Sequence, residues 1–509
     1  MIPALYGLVG AAGLAGLLTR SARWERVAAL LLSAAGALAL LGWLGVAHTL
    51  RAHAAPALLA LVPALVVGVI AARALRRRPL ALPIAVVLAA PFRFPVHIGS
   101  QDANLLVPLY GVIGVGWLAL LMDALRDVKG QTLDIPHVPS QGVEGLEDKG
   151  LGVTRLDVED PGVKGLTLDI PHLPPLRLAL PLLLFVAWEA ASLAWSDSAS
   201  EGAKAMAFYA LPFGVLLAAL VAHPPPLPKL AALLRVQVGL ALIFAAVGVY
   251  QVLTHDIWWN RKLMVSNAFS SFFRANSIFY DPSIFGRYQA VTIVLVFAAL
   301  LFGGVRQPLA AAAAAALAWV GILTSYSQSA FFALCAAVAA GLVLAFGRRL
   351  AWLLLLGAVL VGLGIVAVPS VRHSGVNRVT SERSNLVGDG LRLFKAHPLA
   401  GVGLGGSTQA AAEQSKRGRA LRHAQHVMPL TVASELGIVG IALVAWLLAV
   451  LTRLALIRPF RPERLALGLA LLAIFVHSLF YAAFFEDPLT WGLAALLAAC
   501  AAPGMIEAR

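Results

Sequence analysis

The chain has 509 residues, of which 60% are hydrophobic and 13% charged, with a formal net charge of +14. Soluble domains run at about 45–50% apolar and about 25% charged, so a water-soluble globule is excluded and a polytopic helical membrane protein is indicated. The two cysteines, Cys335 and Cys500, both fall in apolar runs, where they suggest neither a metal site nor a disulfide framework.

In chain order, the segments that approach the roughly 20 apolar residues needed to cross a bilayer are 4–18, 28–47, 57–72, 80–90 (short), 105–122, 178–195, 205–221, 230–253, 288–301, 310–323, 330–346, 350–368, 429–451, 465–485 and 491–502. The pattern predicts an all-α bundle of about 12–15 transmembrane helices. The opening MIPALYGLVG has neither a basic n-region nor a small-residue cleavage pattern, so the first run reads as a retained helix. Residues 1–122 read as lipid-facing helices with little chemistry in them.

Basic residues in short loops stay cytoplasmic. Arg73, Arg76, Arg77 and Arg78, then Arg348 and Arg349, then Arg453, Arg458, Arg461 and Arg464 fall on one side when the spans between them are counted. That side is expected to be the cytoplasm, which puts residues 254–287 and 369–427 on the outer face.

Residues 123–176 form the one sizeable cytoplasmic insertion. It carries a duplication, VKGQTLDIPHVP at 128–139 and VKGLTLDIPHLP at 163–174, whose alternation between Gly and Pro predicts a small β element. Asp134, His137, Asp169 and His172 could make a symmetric metal site, but a duplicated hairpin explains the same pattern without metal. The region 177–368 follows. Glu189 lies inside a membrane run, where an ionisable group is a functional hypothesis by default, although near the outer end it could snorkel. His477 reads as a packed, hydrogen-bonded histidine.

The outer loop 254–287 interleaves Trp258, Trp259, Phe272, Phe273, Phe279 and Tyr280 with Arg261, Lys262, Arg274 and Asp281. Such aromatics belong at headgroup level, which would set the cations among phosphates. The second outer loop, 369–427, holds nine basic residues against three acidic ones, Glu382, Asp389 and Glu413. It reads either as a solvated basic loop or as an anion site, since arginine forks bind phosphate bidentately. On an outer face the natural anion is a phosphorylated lipid, not a nucleic acid. Residues 428–509 complete the membrane region.

Four stretches in this half of the chain carry a resemblance. They are Arg274-Ala-Asn-Ser-Ile-Phe-Tyr-Asp281-Pro282-Ser-Ile-Phe285; Ala396-His-Pro398-Leu-Ala-Gly401-Val-Gly403-Leu-Gly405, preceded by Arg383-Ser-Asn-Leu; His426-Val-Met-Pro-Leu430-Thr-Val-Ala-Ser-Glu435-Leu-Gly437-Ile-Val-Gly440; and Asp487-Pro488-Leu-Thr-Trp491. In this order and spacing the set is similar to the O-antigen ligase and O-antigen polymerase superfamily, over roughly residues 178–502. Two positions depart from the pattern. Val427 stands where an Asn usually follows the His, and Ser327-Gln328-Ser329 stands where many members have Ser-Arg-Gly. Gln328 therefore counts among the substrate-facing positions without a cationic role.

The resemblance implies a GT-C-like helical bundle in the bacterial inner (plasma) membrane, with its active face outward. It would move a glycan from an undecaprenyl-diphosphate donor to a hydroxyl on another glycan or lipid carrier. The reaction would invert the anomeric carbon and need no metal or other cofactor; membrane lipids are the remaining partners, and no nucleic acid is expected.

Such a transfer needs cations on the leaving diphosphate, for which Arg274, Arg383, Arg378, Arg419 and Arg422 are the candidates, with Asp281 and Asp389 beside them. His426 would be the base for the acceptor hydroxyl or a phosphate contact. Glu435 either orients an arginine or the histidine, or pins the loop to its helix. The glycines from Gly401 to Gly406 suit either close passage of a ligand or a plain turn. A lipid-linked oligosaccharide transporter is the alternative; it predicts internal repeats and charges near the bilayer midplane, whereas these charges cluster toward the outer surface.

Overall fold

The computed structural model describes residues 1–19, 22–46, 54–98, 101–126, 176–270, 272–303, 305–347, 349–350, 352–353, 383–414, 427–481 and 483–501. The protein is an all-α polytopic membrane protein. Among the described residues, nine helices are long and apolar enough to cross a membrane, and two shorter apolar ones accompany them. A backbone in hydrocarbon must satisfy its own hydrogen bonds, and helices do so for a sequence of this composition.

Helices α1 (Ile2–Thr19) and α2 (Arg23–Trp43) form a hairpin. Their backbones approach where Gly13 meets Ser33 and Gly36 meets Gly10, the small-residue crossing that substitutes for a hydrophobic driving force in lipid. Next come α3 (Ala54–Arg77), α4 (Ala81–Ala89), the antiparallel strands β1 (Phe94–Ile98) and β2 (Gln101–Leu105), and α5 (Val107–Arg126). The nine residues of α4 cover only about 14 Å. The short run at 80–90 thus stops partway and gives way to a hairpin that the apolar pattern did not announce. The duplicated TLDIPH units and the β element expected of them lie outside the described residues.

Helices α6 (Leu176–Ser192) and α7 (Ala199–Ala205) lead through a π-helical turn (Met206–Ala210) into α8 (Leu211–Ala222). Nearly all of α8 is buried, as an element apolar on every side requires, and it packs against α1, α5 and α18 (Pro488–Cys500). The second half is arranged around α11 (Pro282–Phe302), which packs against α9 (Leu230–Thr254), α12 (Pro308–Ser325), α13 (Gln328–Phe346) and α17 (Pro462–Ser478).

The expected loops are not plain loops. Residues 254–287 contain α10 (Arg261–Ala268), and 369–427 contain α14 (Arg383–Ala396) and α15 (Ser407–Gln414) before α16 (Met428–Ala455). The C-terminal ends of α3, α5, α8, α11 and α16 share one end of the bundle, because Asp123 meets both Arg76 and His223 and because Leu227, Gly303 and Pro462 line one cavity.

Candidate functional site

The opposite end is organised by a break in α16. At Gly437 the backbone leaves the helix with φ 67° and ψ −161°, which strips the carbonyls of Ser434 and Glu435 and the amide of Ile438 of their helical partners. The glycine-rich segment 397–406 supplies replacements. Val402 N donates to Ser434 O at 2.9 Å, Gly403 N to Glu435 O at 2.9 Å, and Ile438 N to Pro398 O at 2.8 Å, while Trp188 Nε1 donates to Leu436 O at 3.0 Å. A broken membrane helix persists only where neighbours satisfy the freed groups.

Gly401, Gly403 and Gly405 all have positive φ, and a Cβ on Gly401 would run into the Glu435 carbonyl. The close approach these glycines permit is to the protein's own backbone.

This docking fixes Glu435. Its Oε1 accepts from Ser407 Oγ at 2.6 Å and its Oε2 from Gly405 N at 3.0 Å, so the carboxylate ties the glycine segment to the broken helix. Of the two roles considered for Glu435, these contacts are those of a pin. Beside it opens a cavity of about 790 Å³ between α6, α7, the segment 404–409, the first turns of α16 and the loop 483–486. Glu189, Glu201, Glu435 and Glu486 face it together with Phe185, Tyr209 and Phe484. Glu189 is 8% exposed and lines this cavity, so it is not a side chain that snorkels to the surface. The wall is acidic and aromatic, where the sequence pointed to a basic site.

Arg274 sits in a second, adjoining region. Asn267 clamps its backbone with hydrogen bonds of 3.1 and 3.0 Å, its Nε donates to Ser325 O at 3.2 Å, and its Nη2 lies 3.5 Å from Ser283 Oγ. Gln251 holds the next turn by accepting from the Ser277 amide at 2.7 Å and donating to the Ser277 carbonyl at 2.9 Å. Asp281 caps α11, accepting from Ser283 N at 2.6 Å with Pro282 at the first helical position, the arrangement its Asp-Pro sequence favours. Gln328 opens α13 as an exposed residue, near in the chain to the Ser325 that holds Arg274. His477 Nε2 donates to Ser283 O at 3.1 Å and lies 3.1 Å from Ser329 Oγ, consistent with a packed, hydrogen-bonded histidine.

The loop between α17 and α18 joins the two regions. Tyr481 feels the charges of Asp281, Arg93, Arg287 and Glu486, and Glu486 in turn those of Arg93, Arg287 and Glu435. Arg287 and Asp487 make an ion pair at 2.6 Å with side chains only 2% and 5% exposed, and Arg93 Nη2 donates to Glu486 O at 3.3 Å. Helix α18 has 13 residues, about 20 Å of length, which is shorter than the about 30 Å of hydrocarbon in a bilayer.

Reading the sequence missed Arg93 and Arg287. The first third of the chain is not without chemistry, since Arg93 reaches Glu486, and the charges do not all stay at the surface. The available signal was Asp487, an acid inside an apolar region that calls for a buried cation.

Arg378, Arg419, Arg422 and His426 lie outside the described residues, as do the side chains of Arg383 and Asp389 on α14. The described contacts bring Arg274 and Asp281 together at Ser283, whose carbonyl His477 holds, and set Glu435 in the cavity that Glu486 also lines; among the described residues no contact draws Gln328 into either group. Met428, two residues after His426, lines the acidic cavity. Residues 312–445 match a family model described as O-antigen ligase, and this match supports the superfamily suggested by the ordered motifs. It takes in α13, the glycine segment and the break in α16, and leaves out Arg274 and Asp487. No curated protein matches the chain.

Proposed function

We propose, from the match of residues 312–445 to the O-antigen ligase family model, that the protein transfers a glycan from an undecaprenyl-diphosphate donor to a hydroxyl acceptor on the outer face of the bacterial inner membrane. The bond from the anomeric carbon to the diphosphate oxygen breaks, the electron pair leaves with the diphosphate, and the acceptor oxygen bonds to that carbon from the opposite side. The hydroxyl proton passes to a base.

The observation that carries this reading is the acidic, aromatic-lined cavity built against the break in α16. A polyhydroxylated ligand suits such a wall, because carboxylates accept from sugar hydroxyls while rings cover sugar faces. The leaving diphosphate asks for cations, and Arg274, with Arg383, Arg378, Arg419 and Arg422, takes that role. Asp281 and Asp389 stand beside them, with Gln328 as an uncharged contact. His426 is the base or a phosphate contact, and Glu435 holds the glycine segment that forms the cavity wall.

Purified protein incubated with an undecaprenyl-diphosphate oligosaccharide tests the reading. Release of lipid diphosphate with a product ladder means a polymerase, and release with a single adduct means a ligase. No release, together with a His426→Ala variant indistinguishable from the parent, rejects the enzyme.

A further inference from the structure

At the end of the bundle away from the acidic cavity, three helices finish on charge. Helix α3 closes on Arg73, Arg76 and Arg77, α5 on Asp123 and Arg126, and α8 runs into His223. These six side chains line a cavity of about 460 Å³. A helix C-terminus favours a nearby cation, which accounts for a basic residue or two per helix. It does not account for four guanidiniums converging on one concavity from separate parts of the chain.

The one carboxylate in the wall organises the cavity without neutralising it. Asp123 pairs with Arg76 and lies 2.7 Å from His223 Nε2, while His223 Nδ1 faces the Ala219 carbonyl at 3.2 Å. Both ring nitrogens thus face oxygen acceptors, and Asp123 is committed to two partners. Arg73, Arg77 and Arg126 have no carboxylate at ion-pair distance among the described residues. What remains is a concave surface of four arginines against one aspartate, at the end that the basic-loop count assigns to the cytoplasm.

We propose that this cavity binds a phosphate group, presented either by an anionic lipid headgroup or by a soluble phosphate. Arginine forks match phosphate oxygens bidentately, and basic pockets between membrane helices are suited to phosphorylated headgroups. A bound phosphate ties together the ends of α3, α5 and α8. The site stands apart from the proposed glycan transfer and does not depend on it.

Full-length protein in a neutral detergent is titrated with short-chain phosphatidic acid, with inorganic phosphate, and with phosphatidylcholine of the same chain length as the uncharged control. Binding is read from the shift in thermal unfolding and from native mass spectra. Saturable binding of phosphatidic acid or of phosphate is expected, weakened roughly tenfold or more in the Arg73→Ala/Arg77→Ala variant and retained in Arg453→Ala/Arg458→Ala, a basic pair outside the cavity.

Should the first variant fail to fold, Arg126→Gln, an exposed single change, carries the same test with a smaller loss. Binding of phosphatidic acid alone identifies a lipid headgroup, and binding of inorganic phosphate identifies a soluble source. If neither exceeds phosphatidylcholine, or if both double variants lose binding equally, the site does not exist.

Discussion

The buried pair between Arg287 and Asp487 makes the sharpest test of how the bundle is held together near the candidate site. Arg287→Met keeps an unbranched apolar stem, shorter by the guanidinium, and removes the charge, leaving Asp487 at 5% exposure without its ion-pair partner. Removing one partner of a buried pair costs about 3–5 kcal/mol, most of it the penalty of the stranded charge. Asp487→Asn strands Arg287 instead. It still offers one oxygen to Leu489 N, which Asp487 Oδ1 now holds at 2.9 Å, so the cap on α18 survives and the loss reports on the charge. The double variant strands neither group and is expected to be more stable than the sum of the singles implies, with a coupling of about 2 kcal/mol or more. Reversible unfolding in mixed micelles, followed by helical circular dichroism, gives the three differences. If both singles cost less than about 1 kcal/mol, or if the effects add within about 0.5 kcal/mol, the two charges are not desolvated together and the reasoning fails.

Gly437→Ala places a Cβ against the Leu399 carbonyl at a positive φ. It is expected to undock the glycine segment, speed hydrogen exchange at Val402 and Gly403, and abolish release of lipid diphosphate. Glu435→Gln leaves one amide oxygen to serve the two donors Gly405 N and Ser407 Oγ; a loss of about 1–3 kcal/mol, seen as faster exchange across 403–407, is expected. Arg274→Ala should lower turnover with little change in unfolding midpoint, and Arg274→Lys should recover little of it, because a point charge does not replace a fork. Chelation with EDTA should leave turnover unchanged, and loss of activity restored by a divalent ion would remove the metal-free mechanism.

Local chemistry made several features readable along the chain. Asp281-Pro282 and Asp487-Pro488 have the Asp-Pro form of a helix start, and both carboxylates cap α11 and α18, although the apolar runs alone set those helices to begin later, at 288 and 491. The apolar runs announce membrane helices, and His477 is packed and hydrogen-bonded in the way a lone histidine among apolar neighbours suggests. The break in α16 was harder to see. Residues 429–451 form one apolar run, and hydropathy records what a residue dissolves in, not its φ. The partner that makes the break tolerable, 397–406, carries its own positive-φ glycines and lies in a segment that reads as a polar loop.

What the sequence alone determined is the solvent of this protein and where its long apolar helices run, because burial in lipid acts on each side chain one at a time. Motif order, too, is a property of the chain. Only the tertiary structure decided that Arg287 meets Asp487, 200 positions further along the chain, that Arg93 reaches Glu486, and that four glutamates from four segments face one cavity. Buried charges and backbone groups must find partners wherever the packing puts them, and that search runs through space, where distance along the chain carries no information.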